Sequence, residues 1–259
     1  MKSIKKIIFI IVSISSIECW AQDQAPVWAS DPVIASADCS TLEYKDVLNF
    51  LTKYFYPTLG FSSEQDKAGS EMMESYAIST SLILRSQMCL AEALELKEIT
   101  DNLRKEQALI SSGTSMSKRE IKKQRKLSAS ASAKIEEAAL GIEELTPEQR
   151  KDFTLGATTY LAGSFSTSEL FKHVKKYAEV TKKEVSSGGF LSGGMSSAFG
   201  KVKGVLGTAN TIRVISGGMP EHVKNLIDNS KFLIEYSDQQ EIELPEEATT
   251  SISQSVEWI

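Results

Sequence analysis

The chain has 259 residues, 41% of them hydrophobic, and carries 29 basic against 34 acidic side chains, a formal charge of −5. That balance excludes a broadly basic surface of the kind nucleic acids require, and the length allows one large domain or two small ones. Only 6 prolines and 15 glycines are present, and most of the glycines crowd between Gly188 and Gly218, so the remainder is rich in helix formers and poor in breakers.

Residues 1–21, MKSIKKIIFIIVSISSIECWA, read as an export signal. Lys2, Lys5 and Lys6 precede an apolar run from Ile7 to Ile17, and the small residue Ala21 stands where a signal peptidase could cut. A run of 11 residues falls short of the roughly twenty that a permanent membrane anchor needs. Lipidation at Cys19 is disfavoured because Glu18, not a small residue, precedes it. Cleavage would remove three lysines and Glu18, leaving a formal charge of about −7 and two cysteines, Cys39 and Cys89. An even count in an exported chain favours a Cys39–Cys89 disulfide. The competing arrangement is a pair of buried thiols. Neither cysteine belongs to a CxxC pair, so redox and metal roles lack support.

Residues 22–38 hold two prolines and no apolar period, which predicts an extended lead-in that Trp28 could dock on the body. Ser40 to Glu43 offers a capping box, followed at helical spacing by Leu42, Val47, Leu48, Leu51, Tyr54 and Phe55, with Pro57 and Gly60 as the stop. From about Ser63 to Ser111 no proline intervenes, and one long helix of about 70 Å is expected. Its apolar residues between Met72 and Leu96 cover more than one stripe, which requires at least two partner helices. A disulfide would then fasten the start of the first helix to the middle of this second one.

Ser117 to Glu120 forms another capping box, opening a helix to about Leu145 whose first half is strongly basic and whose second half is acidic. Between the halves, SASASA would let a neighbouring helix approach closely. Thr146-Pro147-Glu148-Gln149 is the clearest boundary. Ser166 to Glu169 would start a further helix through Leu170, Phe171, Val174, Tyr177 and Val180, and Met219-Pro220-Glu221 one more through Leu233. The glycine-rich segment 186–218 keeps an apolar spacing near 3.5 through Met195, Phe199, Val202, Leu206, Ala209 and Ile212, beside a small-residue ridge of Ser196, Gly200 and Gly204. It suits either a tightly packed helix or an amphipathic membrane-active element carrying Lys201, Lys203 and Arg213. The acidic tail at 237–259 is expected to be polar and disordered.

Together these features predict an all-α fold, an elongated antiparallel bundle of five to seven helices over residues 39–236 behind a signal peptide. Catalytic signatures are weak. Glu169 and His173 stand at i, i+4 but supply too few ligands for a metal, and Ser115 to Lys118 matches SxxK without its companion motifs. No catalytic, metal or cofactor residues are therefore assigned. The expected function is protein binding by an exported, non-catalytic bundle in a periplasm or outside the cell. The alternative is a membrane-interacting or pore-forming protein that uses residues 188–216. Candidate contacts with a partner or lipid are Lys118, Arg119, Lys122, Lys123 and Lys126 in the basic run, and Phe199, Lys201 and Lys203 in the glycine-rich segment. No aromatic residue interleaves the basic run, which argues further against nucleic acid.

Overall fold

The computed structural model describes residues 25–36, 39–61, 65–112, 117–186 and 211–256. The leader at 1–21 and most of the glycine-rich segment, including Ser196, Phe199, Gly200, Lys201, Lys203 and Gly204, lie outside the described residues. Within them the fold is all-α. A short α1 (Pro32–Ala35) and α2 (Tyr44–Phe50) lead into α3 (Gln65–Ala93), α4 (Lys97–Ser111), α5 (Lys118–Leu140), α6 (Pro147–Ser186), α7 (Met219–Gln239) and α8 (Glu246–Val256).

The centre of the bundle is α3, in which every residue from Ile78 to Ala91 is buried. Four of these are small hydroxyl residues, and two of them bond their own helix: Ser79 Oγ donates to the Tyr76 carbonyl at 3.1 Å and Ser86 Oγ to the Ile83 carbonyl at 2.8 Å. Such side chains leave the helix thin enough to be surrounded. Its most extensive neighbour is α6, which crosses it antiparallel, Gly156 facing Leu90 and Gly163 facing Ile83. α5 runs parallel to α3. Gln124 Oε1 accepts from the Tyr76 hydroxyl at 3.1 Å, and further along Gln87 Nε2 donates to the Ser128 carbonyl at 2.8 Å and to Ser132 Oγ at 2.9 Å. The SASASA stretch thus permits the close approach expected of it. α7 packs along α6, joined by Ser230 Oγ to Ser164 Oγ at 3.2 Å and by Phe153 against Tyr236.

Cys39 and Cys89 form a disulfide with Cα atoms 5.6 Å apart. It ties the 3-10 turn Cys39–Thr41 to the last turns of α3 rather than to the middle of a longer helix.

Several boundaries differ from the sequence reading. The lead-in is not extended: Val27–Ser30 is a 3-10 turn and Pro32–Ala35 a helical turn capped by Asp31, and Trp28, Val33 and Ile34 are buried. The first box is not the one at Ser40. Asp46 accepts from the Glu43 N–H at 2.9 Å, so the helix begins three residues later. It passes through a π-helical stretch (Leu51–Phe55) into a 3-10 stretch (Tyr56–Gly60), burying Phe50 and leaving Leu48 exposed. α5 stops at Leu140 rather than near Leu145. Ser166 opens no helix: α6 runs unbroken through it, and its buried hydroxyl bonds back to the Gly163 carbonyl at 2.9 Å. Beyond Tyr236 the described residues finish α7 and form α8, whose Ala248 and Ile252 pack on Leu161.

The largest correction is the break at residues 94–96. Leu96 N–H donates to the Ala91 carbonyl at 2.7 Å and Glu95 N–H to the Glu92 carbonyl at 3.0 Å, the paired bonds of a Schellman stop. Glu95 takes φ 59. The fold-back buries the Ile99, Leu103 and Ile110 stripe of α4, a gain that outweighs the penalty of a left-handed non-glycine residue. Glu241 ends α7 in the same way at φ 55, with Ile242 N–H on the Ser237 carbonyl at 2.8 Å. Glu95→Gly and Glu241→Gly are each expected to raise stability by about 1 kcal/mol, read as a higher urea midpoint; a fall at both sites would refute this account of the turns.

Candidate functional site

The basic run lies in the first half of α5, whose start is fixed by the expected box: Ser117 N–H donates to Glu120 Oε2 at 2.6 Å and Glu120 N–H to Ser117 Oγ at 3.3 Å. Ile121, Gln124, Ser128, Ile135 and Ala139 turn inward, which places Lys118, Lys122 and Lys126 together on an outer edge. This edge forms one wall of a cleft of about 440 Å³. The opposite wall is built by Val214 and the Gly217–Gly218 turn, with Glu221, His222 and Asn225 of α7.

Not all predicted contacts meet here. Arg119 is exposed but does not line the cleft. Lys123 points to α4, where its ammonium lies 3.6 Å from the buried Glu106 carboxylate. Among the described residues, Lys118, Lys122 and Lys126 have no carboxylate within salt-bridge distance. Crowding cations into the first turns of a helix also opposes the helix dipole, so the arrangement is electrostatically unfavourable on its own.

Two residues of the cleft were missed by the sequence reading. Arg125 joins the cleft walls: Nη1 donates to the Gly217 carbonyl at 2.5 Å, Nη2 to the Ile215 carbonyl at 2.8 Å and Nε to the Tyr76 hydroxyl at 3.3 Å. It neutralises the open carbonyl end of the helical turn at 211–216, and Gly218 makes the following left-handed step at φ 77. His222, in the first turns of α7, is 9% exposed and lines the cleft. Nothing in sequence distinguishes Arg125 from the lysines around it, because its partners are backbone carbonyls some ninety residues away.

Burial, with Arg125 as a second cause, pushes the His222 pKa down to about 3. A neutral imidazole held so far below neutrality is a poor general base. Because its pKa is lowered in the folded state, the unfolded chain binds the extra proton first, and stability is lost as pH falls below about 6.5 towards 3. Acidification from about pH 7.5 to about pH 5 is expected to cost about 2 kcal/mol through this group. Urea unfolding at both values should show that loss reduced in His222→Gln; an unchanged pH dependence would contradict it.

Elsewhere, Glu169 pairs with Lys172 at 2.6 Å rather than with His173, whose ring meets Phe61 edge-on. Ser117 serves as the α5 cap, and Ser115 lies outside the described residues. Among the described residues, no group of three or more His, Cys, Asp or Glu could hold a metal, and no helix is long and apolar enough to cross a membrane. No protein-family model matches the chain, and no curated protein or solved structure matches it significantly.

Proposed function

We propose that this is an exported helical-bundle protein that acts by binding a protein partner, not by catalysis, in a periplasm or outside the cell. The observation that carries the reading is the row of Lys118, Lys122 and Lys126, exposed beside a cleft with no carboxylate within salt-bridge distance among the described residues. A protein with a net charge of −5 that concentrates unneutralised cations at one recess is arranged to meet an anionic surface. The Cys39–Cys89 disulfide supports export, since such bonds persist in oxidising compartments, and so does the leader-like order of residues 1–21.

A photo-crosslinking side chain at position 122, introduced in the source cells, tests the reading. A discrete cross-linked protein is expected, absent when the probe stands at position 105 on α4. Cross-links to lipid alone would favour the membrane-interacting alternative built on residues 188–216. Export is checked by intact mass: a chain beginning near Gln22 is expected, and a full-length cytosolic chain would refute it.

A further inference from the structure

Three features of the α5–α7 cleft narrow the chemistry of its occupant. Lys118, Lys122 and Lys126 recur at i, i+4 and i+8, a line about 12 Å long that suits several anionic groups in series better than one compact anion. Between this line and α7 the wall carries the apolar Ile121 and Val214 beside the Arg125 guanidinium. His222 lies in the opposite wall and is 9% exposed.

These features also discriminate between polyanions. Among the described residues no aromatic side chain lines the cleft, so a nucleic acid would gain no stacking from them. A bilayer is flat, whereas these lysines rim a recess whose far wall carries the Glu221 carboxylate. A peptide fits all the elements, because glutamates at i, i+4 and i+8 on a helix share the lysine spacing and an apolar side chain between them can reach the recess.

We infer that the cleft receives an acidic amphipathic helix of the partner, its carboxylates along Lys118, Lys122 and Lys126 and an apolar side chain against Ile121 and Val214. A polar group of the helix meets His222. Glu221 repels carboxylates from the α7 wall and so fixes which edge of the helix faces α5. The inference rests on the protein-binding function and specifies its site.

The test uses the purified protein and a fluorescent helical peptide with glutamates at i, i+4 and i+8 and leucines between them, followed by anisotropy. Binding is expected, weakened about tenfold by K122E with K126E and to a similar degree by glutamine in place of the peptide glutamates. Serine in place of its leucines should also weaken it, and K105E should not. Inorganic pyrophosphate and anionic phospholipid vesicles should compete poorly. If the charge-reversed protein does not fold, Lys122→Gln with Lys126→Gln replaces it, with the same expectation at smaller amplitude. Absence of peptide binding, equal binding by the lysine variants, or preference for vesicles would overturn the inference. A protein still cross-linked from position 122 alongside such a result would leave the binding function standing and reject only this occupant; loss of both would reject the two together.

Discussion

Replacing both Cys39 and Cys89 by alanine is expected to lower the unfolding free energy by about 4 kcal/mol. The bond closes a sequence separation of 50, and cutting it restores to the unfolded chain the entropy of a loop that size. Both cysteines are buried, packed with Leu155, so the smaller alanines also forfeit contacts. The turn at Cys39–Thr41 packs on α6, and α2 begins only three residues after it. Urea denaturation should show the double variant matching the reduced wild-type protein, both well below the oxidised one. An unchanged midpoint would show that the link adds nothing.

Leucine at Gly163 is expected to cost about 3 kcal/mol or more, because α3 and α6 touch nearly backbone to backbone where they cross. A Cβ at Gly163 would stand 2.8 Å from Ile83 Cδ1 and 3.2 Å from the Ile83 nitrogen. At Gly156 it would stand 2.8 Å from Leu90 Cγ and 3.0 Å from the Leu90 nitrogen. Overpacking a contact of this kind forces backbone shifts. Alanine separates the two sites. At Gly163 the nearest atom ends a flexible side chain, and the helix-propensity gain of about 0.8–1 kcal/mol offsets the crowding, leaving Gly163→Ala near neutral. At Gly156 the backbone nitrogen is closer, and Gly156→Ala is expected to destabilise by about 1 kcal/mol. Thermal unfolding of the three variants checks the order; a stabilising Gly163→Leu would mean that the helices are not so closely packed.

The helix class was legible in the sequence because breakers are rare, and because the boxes at Ser117 and Thr146 satisfy backbone donors locally, within three residues. What local chemistry could not show was decided by tertiary contact. The stop at Glu95 has no glycine or proline to announce it, and depends on the stripe of Ile99, Leu103 and Ile110 finding α3. Ser166 carries the letters of a cap, yet burial inside α6 redirects its hydroxyl to the preceding turn. The tail looked polar, but Ala248 and Ile252 suffice to seat α8 on Leu161.

The cleft was half legible. Its lysines are conspicuous as a run, and their helical spacing already puts three of them on one edge. Which of them are neutralised was not readable, since Lys123 meets Glu106 from another helix. Nor was the second wall, which joins residues some ninety positions apart through the Arg125 clamp.

The most direct measurement of the central claim is hydrogen exchange of the protein alone and in complex with the partner captured from position 122. The account predicts slowed exchange in the first half of α5, residues 118–129, and in the opening turns of α7, residues 219–225, with α4 and α8 unchanged. Protection centred on another face, or none on α5, would contradict it.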